Sequence, residues 1–400
     1  MIVVAILLDA VGLLLLLPVA VLLVELVLAL VGRGPIVGTT AGAAAGKRAR
    51  LAILIPAHDE ESGIAATLKS VLPQLVTADR VLVVADNCTD NTAAIAATQG
   101  AEVVIRQDSS RRGKGYALDF GVRHLEKEAP EIVIIVDADC EVAPGTIERL
   151  ARLCAHSGRP VQALYLMHAP ADASLRTRIA EFAWIVKNQV RPTGLARLEL
   201  PCQLMGTGMA FPWSTVRGAN LSTGHIVEDL QLGLELALAG TPPLFAPTAL
   251  VASHFPASNE GIRSQRVRWE HGHLGVIFAQ APRLLLASLR RADLSLLALA
   301  MDLLVPPLAL LSLLVAAFWS ASAVFCWVTG ARTPLEIASI TAVCLGLAVL
   351  VSWLRWGRHV ISFADLVLAP AYALRKIPLY VGFLFARQMQ WVRSKRDDKS

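Results

Sequence analysis

The chain has 400 residues, of which 55% are hydrophobic and only 17% charged, and its mean hydropathy is +0.55. That is too apolar for an ordinary soluble enzyme, and the excess is concentrated at the two ends. The net charge of +5 need not imply nucleic acid, because basic residues beside membrane spans and an anionic substrate both account for it. Six cysteines, with no Cys-x-x-Cys and no metal spacing with histidine, read as buried or free thiols of a reducing compartment.

Residues 2–31 are almost wholly apolar, interrupted by Asp9, Pro18 and Glu25. This exceeds the roughly 20 residues that a span needs. The stretch lacks a basic n-region, so it reads as a retained span over 1–32 rather than a secretion signal. Arg33, Lys47, Arg48 and Arg50 follow, within a Gly/Ala/Thr-rich linker over 33–50. By the positive-inside rule they place the next domain in the cytoplasm.

Residues 51–280 have normal globular composition and ample length for a core. A strand over 51–55 runs into Pro56-Ala57-His58-Asp59-Glu60-Glu61, and 62–75 has helical periodicity. A second strand over 80–85 precedes the polar loop 86–92. A helix over 92–99 stops at Gly100, and a third strand covers 102–105. Arg106, Arg111, Arg112 and Lys114 form a basic loop before a helix over 115–127, a place that favours phosphate. A solvated basic loop is the plain alternative. Strands alternating with helices predict βαβ units and a mostly parallel sheet.

The run 132–139, Ile-Val-Ile-Ile-Val-Asp-Ala-Asp, predicts a strand buried on both faces and ending on Asp137 and Asp139. Residues i and i+2 of an extended segment point the same way, so both carboxylates can reach one ligand. Ligands in open α/β sheets bind beyond the carboxyl ends of strands, and Mg²⁺ or Mn²⁺ takes one or two carboxylates plus phosphates. An acidic turn closing the strand is the competing reading. On the same reasoning Asp86, at another strand end, can accept bonds from a ribose or a base edge.

Downstream, Met205-Gly206-Thr207-Gly208 either lets backbone approach a substrate or makes a tight bend. Glu228 and Asp229 precede a helix over 230–239, where the helix dipole alone would favour acids. In Gln265-Arg266-Val267-Arg268-Trp269, helical spacing puts Gln265, Arg268 and Trp269 on one face. That face carries an amide, a guanidinium for phosphate and an indole for sugar or lipid, or else it anchors an interfacial helix. His271 and His273 have no acidic or cysteine partner at metal spacing, so structural roles are expected.

The rest reads as a basic interface helix over 281–294 and a membrane hairpin over 295–355, with spans at 303–331 and 337–354. Residues 356–400 form an interfacial or re-entrant helix, since it carries Asp365, Arg375 and Lys376, followed by a basic tail.

The pieces 55–61, 86–92, 113–118 and 136–139, in this order, resemble the nucleotide-binding half of family 2 glycosyltransferases. Val-Glu-Asp at 227–229 is close to the family's Thr-Glu-Asp element. The Gln-x-x-Arg-Trp run is similar to the signature of its membrane-embedded members, which include polymerising synthases and ceramide glucosyltransferases. The departures are Asp59 where Asn is frequent, Ala85 where a second acid is frequent, and His254 where relatives often carry Glu. The resemblance covers roughly residues 51–272. It implies an α/β fold of GT-A type and a nucleotide-sugar donor, most simply a UDP-sugar, and transfer with inversion.

By the resemblance, Pro56, His58, Glu60, Asp86, Lys114, Asp137 and Arg268 fall on the donor. Asp139, with Asp137 beside it, holds Mg²⁺ or Mn²⁺. Asp229 is the general base with Glu228 next to it, and Gly206, Gln265 and Trp269 line the acceptor side. The expected enzyme sits in a bacterial-type inner membrane with its catalytic domain in the cytoplasm. It glycosylates a lipid, a lipid-linked glycan or a growing polysaccharide, and no motif specifies an export partner or oligomer. A membrane nucleotidyl or phosphoryl transferase could use the same carboxylate-metal chemistry but would not need the 265–269 face. A decayed, non-catalytic scaffold is expected to have lost carboxylates that are all present here.

Overall fold

The computed structural model describes residues 1–31, 48–256 and 259–385, with the side chains of 259–266 and 384 left aside. Most of the 33–50 linker and the basic tail lie outside the described residues.

The eight strands are β1 (Leu51–Ala57), β2 (Arg80–Asp86), β3 (Glu102–Arg106), β4 (Ile132–Ile135), β5 (Glu141–Val142), β6 (Val161–His168), β7 (Met209–Pro212) and β8 (Leu244–His254). They form one sheet in the order β3-β2-β1-β4-β7-β6-β8-β5. The β3-β2-β1-β4 half is parallel, as the alternating strands and helices predict. β7 runs antiparallel between β4 and β6, and β6 then pairs β8 in parallel. This is the mixed α/β sheet expected of a GT-A domain.

Period-2 alternation splits the apolar strands between two cores. In β1, Leu51, Ile53 and Ile55 face one layer, and Ala52 and Leu54 the other. In β4, Ile132 and Ile134 likewise oppose Val133 and Ile135, and all four are buried. The double burial read from the run of β-branched residues is therefore observed. The strand is shorter than expected, however. It stops at Ile135, and the Asp137 carbonyl accepts from the Cys140 N–H at 3.2 Å. Asp137 and Asp139 are brought together by a turn rather than by extended-chain alternation.

Beyond the sheet, Asn259–Arg291 is one continuous 33-residue helix with Pro282 inside it. The interface helix expected over 281–294 is thus mainly the end of this longer one. Leu294–Leu303 is a separate short helix capped by Asp293. Among the described residues, four helical segments are long and apolar enough to cross a membrane: Ile2–Val31, Leu308–Thr329, Thr333–Gly357 and Phe363–Phe383. The first three correspond to the expected spans. The fourth covers the segment read as re-entrant, and it comprises two helices, Phe363–Leu374 and Ile377–Phe385. The second of these packs on Asn259–Arg291. His271 Nε2 is 2.9 Å from the Leu379 carbonyl, Phe278 stacks on Phe383, and Lys376 pairs with Glu270.

Of the two acids in the first span, Glu25 has a tertiary explanation. Glu25 and Asp302 both converge on Arg191 of the catalytic domain. Arg191 Nε donates to Glu25 at 2.9 Å, its guanidinium contacts Asp302 at 2.5 Å, and Gln203 donates to Asp302 at 2.6 Å. The three charged groups are at most 5% exposed. They join the first span, the catalytic domain and the Leu294–Leu303 helix.

Candidate active site

A cavity of about 260 Å³ opens beyond the carboxyl ends of β1, β2 and β4. Pro56, His58 and Glu60 reach it from the end of β1, and Asp86 from the end of β2. Asp137 and Asp139 come from the turn after β4, and Lys114 from the first residue of the helix Lys114–Leu125. Gly206, Glu228, Asp229, Arg268 and Trp269 close the other side. Every residue to which the resemblance gives a site role therefore lines one cavity, except Gln265, whose side chain lies outside the described residues; of the basic loop, Arg112 and Lys114 line it and Arg106 and Arg111 do not.

The electrostatics centre on Lys114. Its Nζ sits 2.5 Å from Asp137 Oδ1 and donates to the Gly206 carbonyl at 2.7 Å. Burial opposes its charge, but the surrounding carboxylates, Asp137 foremost, raise its pKa. Burial pushes Asp139 up to about 6, assisted by the negative charge of Asp137. Glu228 rises to about 7 for the same two reasons, burial and then its neighbour Asp229. Asp229 is also raised: burial lifts it, while Lys114 and Lys187 pull it down. Glu228 and Asp229 open the helix Glu228–Leu238, with Val227 at the cap.

Gly206 has φ +95°, and an added Cβ would stand 3.1 Å from Asp229 Oδ2. Only glycine meets both the backbone and the space requirement there. Thr207 next to it accepts the Asp137 N–H at 3.0 Å, which ties β7's approach to the acidic turn.

One expectation needs correction. Arg106 does not belong to a phosphate-facing loop. It is buried, 2.6 Å from Asp86 Oδ1, and also contacts Asp108 and the Arg111 carbonyl. Asp86 is accordingly already engaged by Arg106 and by Asn87 at 2.9 Å, although it lines the cavity. His273, expected to have a structural role, lines the cavity, and burial holds its pKa well below the ordinary histidine value, so it is neutral.

Sequence reasoning missed Trp184 and Lys187. The helix Leu175–Ile185 carries Trp184, and a single wide π turn, Val186–Val190, carries Lys187. Such turns re-aim side chains and are frequent at functional sites. Trp184 is held by its Nε1–H to the Tyr165 carbonyl at 3.1 Å and meets Trp269 with ring centroids 4.9 Å apart. No local signal singles Lys187 out, since it stands beside Asn188, Gln189 and Arg191 in a mixed stretch.

Trp184, Lys187, Trp269 and His273 also line a second, larger and largely apolar cavity of about 680 Å³. It lies between the catalytic domain and the apolar helices.

This arrangement of carboxylates on a GT-A sheet has a family counterpart. Residues 49–272 match the family described as glycosyltransferase like family 2, and the chain belongs to that family. Among curated proteins it is 24% identical over 253 residues to the probable glycosyltransferase YdaM of Bacillus subtilis, covering 57% of this chain and 56% of that protein. It is 35% identical over 120 residues to an uncharacterized glycosyltransferase of Mycobacterium tuberculosis, covering 28% of this chain and 50% of that one. The chain thus spans about half the length of these relatives. A solved structure, the mannosyltransferase PcManGT of Pyrobaculum calidifontis in complex with GDP-mannose and Mn²⁺, superposes with a TM-score of 0.50 at 17% identity. That match covers 87% of this chain and 99% of the other, and it establishes the shared fold.

Proposed function

We propose that this chain is a membrane-bound inverting glycosyltransferase. It moves a sugar from a nucleoside-diphosphate donor, most simply a UDP-sugar, to a hydroxyl of a membrane-held acceptor on the cytoplasmic side. The observation that carries the reading is the meeting of two carboxylate pairs, Asp137/Asp139 and Glu228/Asp229, in one cavity that also holds Lys114 and Arg268. One pair suits the donor's diphosphate end, the other an acceptor proton.

Asp137 and Asp139 fit a hard divalent cation. Their carboxylates and Cys140 Sγ lie within 4.8 Å of one another. Mg²⁺ or Mn²⁺ prefers oxygen, and burial keeps the Cys140 thiol protonated, so the two carboxylates are the holders. When bound, the cation neutralises charge on the leaving diphosphate. Lys114 and Arg268 add positive charge around the same diphosphate. Asp229 takes the proton of the acceptor hydroxyl. The oxygen then bonds to the anomeric carbon as the bond from that carbon to the diphosphate breaks on the opposite face. Pro56, His58, Glu60 and Asp86 line the nucleoside end, and Trp269 with Gly206 the acceptor side.

The apolar cavity beside Trp269 favours a lipid or lipid-linked glycan over a growing polysaccharide, since a polymer path needs polar lining. Membranes containing the protein, screened against radiolabelled nucleotide sugars, should place sugar label in the lipid fraction. Label that follows the donor phosphate into product would instead indicate a nucleotidyl or phosphoryl transferase.

A further inference from the structure

We infer that the larger cavity seats the apolar tail of the acceptor, and that Lys187 binds an anionic group in the acceptor's head beside the hydroxyl that is glycosylated. This rests on the transferase reading and specifies its substrate class.

The cavity's size of about 680 Å³ falls within the roughly 300–1,000 Å³ of ligand sites. Its wall climbs the Leu308–Thr329 helix from Leu308 to Ser320, about 18 Å at 1.5 Å per residue. That is over half of the roughly 30 Å hydrocarbon core of a bilayer. Trp319 and Val367, on two helices of this wall, are 43% and 63% exposed, so the far end borders the surface that the apolar helices present outward.

Charge distinguishes a head site at the near end. Three permanently basic side chains line the cavity: Lys187, Arg191 and Lys376. Arg191 is taken by Glu25 and Asp302, and Lys376 by Glu270. Lys187 has no hydrogen bond or ion pair among the described residues; its Nζ lies 5.5 Å from the Trp184 ring centroid. Its side chain is exposed and projects into the space where the two cavities meet. Asp229 lines the smaller cavity that Lys187 also reaches, and no ion pair joins the two among the described residues. An anion on Lys187 would place a neighbouring hydroxyl in that shared space, with the tail running away along the helix wall. A neutral lipid would forgo this charge-assisted contact.

The test uses the full-length protein in nanodiscs and three diazirine-tagged probes: palmitoyl monoacylglycerol, its phosphate ester and the free fatty acid. Cross-linked peptides are mapped by mass spectrometry. In the wild-type protein the two anionic probes should label the cavity wall roughly tenfold or more above the monoacylglycerol, the factor expected of a charge-assisted contact. Lys187→Met should bring them down to the neutral level, and Lys187→Arg should restore them. Gly346→Leu provides a variant that leaves Lys187 intact. A Cβ at Gly346 meets no atom within 4 Å, so the side chain would fill the cavity and lower labelling by all three probes. The phosphate and carboxylate arms tell a lipid phosphate from a lipid acid. Equal labelling by charged and neutral probes, or an anion preference that survives Lys187→Met, overturns the inference. No sugar donor is present, so failure to transfer sugar in a parallel assay would count against the transferase reading alone.

Discussion

At the scale of single residues, the proposed mechanism separates donor chemistry from proton chemistry. Asp229 lies beside Gly206 and is assigned the acceptor proton, so its removal should leave donor binding in place. Asp229→Asn is expected to keep nucleotide-sugar affinity, measured by calorimetry, while turnover falls by a factor on the order of 10²–10⁴. A collapse in affinity with normal residual turnover would make Asp229 a donor ligand instead. The same residue predicts a pH dependence. A base works ionised, and burial raises the Asp229 pKa above its ordinary value of 3.8. As pH falls through that raised value the carboxylate takes a proton and turnover is lost. The acid limb of the kcat profile should therefore lie above the ordinary carboxylate range, and a limb at or below about 3.9 would refute the assignment. Asp139→Ala should abolish transfer and metal-dependent nucleotide binding together. Likewise, a chelator should stop wild-type turnover, and added Mg²⁺ or Mn²⁺ should restore it. Near-normal turnover of Asp139→Ala at saturating metal would remove the metal-site argument.

At the scale of elements, the Glu25–Arg191–Asp302 network fastens the first span to the catalytic domain. Pairing offsets the desolvation of these charges, and losing one partner leaves the others buried and uncompensated. Arg191→Met is expected to destabilise the fold by about 3–5 kcal/mol. The loss should appear as a marked drop in the thermal unfolding midpoint in detergent. Replacing all three together, Glu25→Gln with Arg191→Met and Asp302→Asn, should recover part of it. A single variant that melts with the wild-type protein would show that packing in the shared apolar cluster, not the ion network, holds the two parts together. The continuous Asn259–Arg291 helix has a related role. It carries Arg268 and Trp269 at one end of its described side chains and packs against the Leu294–Leu303 and Ile377–Phe385 helices further along.

At the scale of the whole molecule, the two cavities link the sheet's strand ends to the apolar helices. The smaller cavity stands at the strand ends, and the larger one continues from it between the helices, sharing Trp184, Lys187, Trp269 and His273. Among the described residues, the larger cavity beside these helices is lined mostly by apolar side chains. We therefore expect transfer of one or a few sugars to a membrane-anchored acceptor. In vesicles reconstituted with the purified protein, label from the donor should extract with lipid. Long polymer on the far side of those vesicles, with no partner protein added, would contradict this.

The amino-acid sequence by itself determined the sheet's parallel half, because runs such as Ile132–Ile135 can be buried on both faces only inside a covered sheet. It also placed the carboxylates at strand ends and a helix start, where local patterning and motif spacing suffice. Three things depended on contacts between distant segments, and so could not be read along the chain. Arg106 stands in a basic run, yet in space it meets Asp86, twenty residues away, and is withdrawn from the loop it seemed to join. Glu25 and Asp302 look like stray acids near the ends of apolar helices, and only the packing of three elements brings both onto Arg191. Lys187 looks like one more polar residue in a mixed stretch. Its lack of a partner among the described residues, and its position where two cavities meet, exist only once the π turn, the sheet and the apolar helices are assembled, because a cavity between distant segments has no local sequence signature.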